Sequence, residues 1–278
     1  MNIKNIAFIG AGNMSKSIIG GLVEKGYPAN NITAANPSQG KLDALQTAFN
    51  INITQDNLNA VTNADVVVLA VKPQLMNEML QRLTQDANQA KLDLSKKLFI
   101  SIAAGLPVAR LNEMLGAEHQ IIRTMPNTPS LLGLGMTGLY APQNISVEDK
   151  TFANDLMAAV GQTAWVEDEA GIDKIIAVAG SAPAYFFLFM ESLEQEAKAL
   201  GFSDTDARNI VQQVALGSAQ MVCHNQEVSL ADLRAQVTSK GGTTAEAIKV
   251  FEDQGLRDIS KQAMHAAIKR AEEMAKLF

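Results

Sequence analysis

The chain is poor in the residues that cross-link small proteins or load them with metal. Its 278 residues include one cysteine, Cys223, which excludes an internal disulfide framework and a cysteine-rich metal site. Cys223 is expected to be a small buried apolar residue. The three histidines, His119, His224 and His265, stand in no ligand-like spacing, so no metal is expected. Basic residues are outnumbered. The 23 Lys and Arg against 29 Asp and Glu leave a net charge of −6, whereas a nucleic-acid surface needs a basic face. The most apolar runs, such as Val66–Val71, are far too short to span a bilayer. The N-terminus opens on a strand-like segment, without the basic, apolar and small-residue regions of a secretory signal. The expectation is a cytoplasmic protein with no membrane or nucleic-acid partner. What the chain does have is apolar mass: 47% hydrophobic against 19% charged residues, a globular composition sufficient for one large domain or two ordinary ones.

Up to about Val166 the pattern alternates. "IKNIAFIG" reads as a short buried strand, and Asn13–Lys25 as a helix ended by Gly26. "NITAANP" is a second strand stopped by Pro37, Lys41–Phe49 is helical, and "ADVVVLAV" is a β-branched run of the kind buried on both faces. "KKLFISIAAG", "HQIIRTMPN", "GMTGLYAP" and "TAWVED" read as further strands. Strands alternating with helices imply an α/β fold with a mostly parallel sheet. Beyond Glu167 amphipathic helices take over: Ala184–Leu200, Thr205–Asn225, Leu230–Val237, Thr243–Asp253 and Leu256–Lys276. Ser203 with Asp206, and Ser229 with Asp232, fit helix N-caps with an acid at the third position. Gly201 and Gly255 sit where helices stop. These signals predict a division into residues 1–165 and an all-helical part, 166–278. The apolar run "AYFFLFMESL" suits either the core of a small domain or burial against a second subunit.

Gly10-Ala11-Gly12-Asn13-Met14-Ser15 follows a strand and opens a helix, the context that makes a glycine pattern informative. Gly10 permits a tight turn and Gly12 lets backbone approach a pyrophosphate, which then meets free N–H groups at the helix N-terminus. Ser15 replaces the third glycine and is still small. An acid about 20 residues on would hold the ribose 2′-hydroxyl of NAD, yet no Asp or Glu occurs from Asn31 to Lys41. Asn36, Ser38 and Lys41 tolerate a 2′-phosphate instead, so NADP(H) is favoured over NAD(H). Ala70, Val71, Lys72 and Pro73 end the apolar strand, where ligands of such sheets lie. Lys72 either neutralises phosphate or is simply solvated. In "TMPNTP", Asn127 and Thr128 offer hydrogen bonds where a nicotinamide carboxamide can lie.

A second glycine stretch, Ser239-Lys240-Gly241-Gly242-Thr243-Thr244, also opens a helix. Read alone it is either a nest of backbone N–H groups for an anion or a cap between two helices. The order of motifs adds to this. "FIGAGNM", "AVKP", "MPNTP", "GSAPAY" and "VTSKGGTTAEAI" run from Phe8 to Ile248, and the chain closely resembles the pyrroline-5-carboxylate reductase family. "SKGGTT" resembles the family's Ser-Pro-Gly-Gly-(Thr/Ala)-Thr signature.

The resemblance implies a Rossmann-like dinucleotide-binding domain (1–165) followed by an all-α dimerisation and substrate-binding domain (166–278), in an assembly of at least two subunits. It implies reduction of L-1-pyrroline-5-carboxylate to L-proline by NADPH, with NADH also admissible. The signature loop would close over the cofactor of the partner subunit. Thr244 and Ser239 match the family's catalytic loop, and Gly241, Gly242 and Thr243 its substrate contacts. Glu169 and Glu227 match acids near that site. Two positions depart from the pattern: Lys240 stands where proline is common, and Ala182 where Gly or Ser is usual. A substrate whose imine nitrogen is already protonated needs no enzymic acid, which fits motifs without a histidine or an obvious catalytic carboxylate. Two alternatives remain at this point. One is a 3-hydroxyacid dehydrogenase-like oxidoreductase with Lys174 as its catalytic lysine. The other is a non-catalytic NADP-binding regulatory protein.

Overall fold

The computed structural model describes residues 2–277. The chain runs β1 (Ile6–Ile9), α1 (Asn13–Glu24), β2 (Ile32–Ala35), α2 (Gln39–Phe49), β3 (Asn52–Thr54), α3 (Asn57–Thr62), β4 (Val66–Leu69), α4 (Pro73–Gln89), β5 (Leu98–Ser101), α5 (Val108–Leu115) and β6 (Gln120–Met125). It continues through β7 (Gly135–Tyr140), α6 (Val147–Ala158), β8 (Gly161–Trp165), α7 (Ala170–Ile175), α8 (Ala182–Ala199), α9 (Asp204–His224), α10 (Leu230–Gln236), α11 (Thr243–Asp253) and α12 (Leu256–Leu277). Edge strand β3, "NIT", is three residues long with no buried residue, too short to show a period, and so escapes a pattern reading.

One sheet has the order β3-β2-β1-β4-β5-β6-β7-β8. It is parallel except where β7 pairs antiparallel with β6. Successive strand residues enter opposite cores. Ile6, Phe8, Val66 and Val68 pack on one face with Ile18, Ile19 and Leu22 of α1. Ala7, Ile9, Val67 and Leu69 pack on the other with Met76, Leu80 and Leu83 of α4. Burial on both faces is why these strands read as unbroken apolar runs rather than alternating ones.

The chain forms two compact units, one of residues 1–181 with 267–278, the other Ala182–Ala266. The strands end at Trp165, beside the division expected at 165/166. The first unit nevertheless continues to Ser181, because α7 and the turn after it pack on the sheet. A methyl added to Gly138 of β7 would lie 2.6 Å from Ile175 Cγ2, and one on Gly180 would lie 2.8 Å from Met125 Cε. His119 belongs to this unit's structure. Its ring meets Phe99 edge-on with centroids 5.3 Å apart, and burial holds the imidazole below its usual pKa.

In the second unit the anticipated caps are present. Ser203 Oγ accepts from Asp206 N at 3.1 Å and donates to the Asp206 carboxylate at 2.7 Å, and Ser229 and Asp232 repeat both bonds. Gly201 (φ 101°) and Gly255 (φ 76°) take the left-handed conformation just past their helices. Phe189 of α8 meets Phe251 of α11 with ring centroids 5.8 Å apart. In the single chain α8 buries no residue completely, and Phe186, Phe187 and Leu188 are exposed. Cys223, expected inside, is exposed, because it lies on a face of α9 that the single chain leaves uncovered. One expectation about length is also corrected. Joined end to end, α7, the turn and α8 make a helical stretch, Ala170–Ala199, long and apolar enough by length and composition to cross a membrane. Its most apolar part is visible in the sequence as residues 175–190, which carry no charged side chain and begin just after Lys174.

Candidate functional site

In an open parallel sheet, ligands bind outside the carboxyl ends of the strands where the strand order reverses. Here that point lies between β1 and β4, and three of the expected turns meet there. Gly10 N donates to Ala35 O at 2.8 Å and Ala70 N to Ile9 O at 2.9 Å. Gly10 has φ +112°, and a Cβ there would sit 2.5 Å from Ala70 O. The position is therefore closed to any side chain. Gly12 is different: its φ is −83° as the N-cap of α1, and a Cβ would meet nothing of the chain within 4 Å. The space over Gly12 is open, and Ala11 to Met14 lead into a helix start with no side-chain cap, where free N–H groups and the helix dipole favour phosphate. Ser15 is fully buried, and its hydroxyl donates to Gly10 O at 2.6 Å, bracing the turn that a third glycine would only have left room for.

Asn36 ends β2. Its Oδ1 accepts from Ala11 N at 3.2 Å and its Nδ2 donates to Ser38 O at 3.3 Å. The carboxamide thus links the glycine turn to the start of α2, where Ser38 is an N-cap whose side chain makes no cap bond. A neutral amide beside a helix N-terminus suits a 2′-phosphate. Asn36→Asp should reduce the kcat/KM preference for NADPH over NADH at least tenfold, measured with each cofactor in turn. An unchanged ratio would remove Asn36 from cofactor choice. Val71 is half-buried at the end of β4, Lys72 is exposed, and Pro73 occupies the first turn of α4, where a missing N–H costs nothing. These residues fit a dinucleotide phosphate.

Towards the other half of the sheet the side chains are engaged within the protein. Asn127 is buried. Its Nδ2 donates to Ala179 O at 3.1 Å, and its Oδ1 accepts from Met136 N at 2.9 Å. Thr128 beside it is exposed at the head of a 3-10 turn, Thr128–Leu132. Glu169 Oε1 accepts from Arg123 at 2.8 Å and from Val108 N at 2.7 Å. The Arg123 side chain is 4% exposed. This pair ties β6 to the starts of α5 and α7, and a carboxylate holding a buried guanidinium is a structural tie. Asp173 faces the same arginine; burial pushes its carboxyl up, while Arg123 pulls it back. Arg123 belongs to no motif, yet a lone arginine within the apolar strand "QIIRTM" is a visible sign that a buried partner exists.

The second unit holds the other glycine stretch. Gly241 has φ +71°, and Gly242 is the N-cap of α11. Gly242 N donates to Ser239 O at 3.0 Å, and Ala245 N and Glu246 N donate to Gly242 O. The Thr243 and Thr244 amides therefore precede the first intrahelical bonds. Ser239, Lys240, Gly241, Thr243 and Thr244 are exposed in the single chain. A Cβ on Gly242 would lie 2.5 Å from Ser239 Oγ, so the glycine keeps that hydroxyl close to the helix start. Glu227 is exposed in the turn before α10.

Comparisons with known proteins agree across the whole chain. Residues 169–274 match the family model "Pyrroline-5-carboxylate reductase dimerisation", and residues 5–105 match "NADP oxidoreductase coenzyme F420-dependent". The chain is 55% identical over 278 residues to a pyrroline-5-carboxylate reductase of Vibrio alginolyticus, covering 100% of both. A solved pyrroline-5-carboxylate reductase from Coxiella burnetii superposes with a TM-score of 0.90 at 42% identity, covering 99% of each chain. A pyrroline carboxylate reductase from Plasmodium falciparum, solved with NADP bound, gives 0.84 at 29% identity, again over 99% of each.

Proposed function

The chain belongs to the pyrroline-5-carboxylate reductase family, and we propose that its two glycine turns hold the two anions of that reaction, the first the cofactor's phosphates and the second the substrate's carboxylate. The protein is an NADPH-dependent reductase of L-1-pyrroline-5-carboxylate, forming L-proline, the last step of proline biosynthesis. It associates with itself through its C-terminal helices. NADH as a second cofactor, a cytoplasmic location and closure of the Ser239–Thr244 loop over a partner subunit's cofactor belong to the proposal. The dehydrogenase and regulatory alternatives lose their support: Lys174 is exposed, and the chain is 55% identical over its full length to a reductase.

NADPH, when bound, supplies the hydride that reduces the carbon of the C=N bond. The chain's part is binding and orientation. Gly10, Ala11, Gly12, Asn13 and Met14 would hold the pyrophosphate, with Asn36 and Ser38 at the 2′-phosphate and Ala70–Pro73 and Thr128 along the edge. The Gly241, Gly242, Thr243 and Thr244 amides would hold the substrate carboxylate at the positive end of α11. The Thr244 and Ser239 hydroxyls would face the ring nitrogen, which arrives protonated, so that no side chain donates a proton. Positioning of this kind accounts for up to about 7–11 kcal/mol of barrier lowering.

The observation that carries the reading is the pair of N–H groups, Thr243 and Thr244, left ahead of the α11 ladder by a left-handed Gly241. Thr244→Ala should lower kcat about 10- to 100-fold, the range of about 1.4–2.7 kcal/mol, with NADPH affinity nearly unchanged. Equal kcat/KM for the variant and its parent in steady-state assays at 340 nm would exclude Thr244 from the reaction.

A further inference from the structure

Asparagine is among the best helix-capping residues. Asn127 occupies the N-cap of the Thr128–Leu132 turn, yet its side chain makes no cap bond there. The carboxamide is turned inward, 8% exposed, and its Nδ2 reaches Ala179 O, 52 residues along the chain, at 3.1 Å. The sequence explains why that carbonyl needs a donor. In a regular helix Ala179 O would accept from the amide of residue 183. Residue 183 is proline, which has no N–H and whose ring crowds the carbonyl four residues back. The backbone responds by widening. Residues Ile176–Gly180 form a single π-turn, with Ser181 N donating to Ile176 O at 2.8 Å. Gly180 permits the close approach of Met125, at the end of β6, to this turn. The first segment of the first compact unit ends at Ser181, one residue beyond.

We propose that Asn127 is a positioning residue: its amide replaces the backbone donor that Pro183 removes, and so fixes the backbone of the Ile176–Gly180 turn that precedes α8. This gives a physical reason for "MPNTP" and "GSAPAY" to occur in one chain. One motif creates an orphaned carbonyl and the other satisfies it. The cost of leaving a buried carbonyl without a donor would then fall on the Ile176–Gly180 turn, not on the glycine turn at Gly10–Gly12.

Asn127→Asp separates the two bonds. The carboxylate still accepts from Met136 N but presents a second acceptor to Ala179 O. At pH 8 the variant should lose about 10- to 100-fold in kcat, with the NADPH Kd within threefold of the parent. Burial raises a carboxyl pKa, so as pH falls the acid protonates and its O–H can donate to Ala179 O. The ratio of variant to parent kcat/KM should therefore climb towards one by about pH 5.5. Pro183→Ala in the Asn127→Asp background restores a backbone donor and should recover at least part of the loss at pH 8. The kinetic arm rests on the reading above that the helical unit carries the substrate loop. The Tm gap between variant and parent does not rest on it, and should close with falling pH even if the substrate lies elsewhere. A variant within twofold of parental kcat/KM at pH 8 would overturn the proposal. So would a deficit, in Tm as well as in rate, that neither lower pH nor Pro183→Ala relieves.

Discussion

Gly10→Ala should abolish most NADPH binding, weakening Kd at least 100-fold and lowering Tm by about 10 °C. The new methyl would lie 2.5 Å from Ala70 O and 2.8 Å from Ala70 C, both backbone atoms, and so cannot be accommodated by a rotamer change. The position also has φ +112°, a conformation an L-residue adopts only under strain. Overpacking of this kind costs about 1–3 kcal/mol and an unfavourable backbone conformation about 1–3 more. At about 2–4 °C per kcal/mol for a chain of this size, the sum gives the expected shift. The Ala35, Ala70 and Ser15 hydrogen bonds that converge on the turn would be disturbed together. Gly12→Ala separates folding from binding. Its methyl meets nothing in the chain, so Tm should hold while NADPH is lost from the space the methyl now fills. Calorimetric titration and thermal unfolding of both variants check this. A Gly12→Ala protein that binds NADPH normally would contradict the placement of the phosphates.

The second large effect is expected at Glu169. Glu169→Ala removes the partner of a guanidinium that is 4% exposed and leaves Val108 N, at the start of α5, without its acceptor. Breaking a buried ion pair from one side costs about 3–5 kcal/mol. Asp173 and Glu272 also act on this group of charges, which places the loss near the lower end, about 3 kcal/mol. Glu169→Gln keeps the acceptor for Val108 N and should lose less. Urea denaturation should show the midpoint moving with an unchanged m-value. Were Glu169 instead a substrate ligand, Glu169→Gln would raise KM for the imine and leave stability alone.

The sequence made the architecture legible where one physical signal dominated. Val66–Leu69 could only be a strand buried on both faces, and Ser203 and Ser229 marked helix starts because their hydroxyls had acids three residues on to pair with. The glycine turn was readable for the same reason: no residue but glycine fits beside Ala70 O. Signals that depend on distant partners were not readable. Asn127 looked like a free hydrogen-bonding group at the carboxyl edge of the sheet, and nothing local reveals that it faces Ala179 O. Glu169 looked like an acid for the site, because its partner Arg123 lies 46 residues away. Cys223 was expected inside because cysteine usually is, but it lies on a face of α9 that the single chain leaves exposed.

The central claim is that the bend from Ser239 to Thr244 grips an acidic ring next to the cofactor. The most direct measurement is a crystal structure of the assembled protein with NADP and a non-reactive proline mimic. The account predicts the mimic's carboxylate on the Gly241–Thr244 amides, with Thr244 Oγ1 against the ring nitrogen. A mimic bound elsewhere, with that bend facing bulk solvent in the assembly, would contradict it.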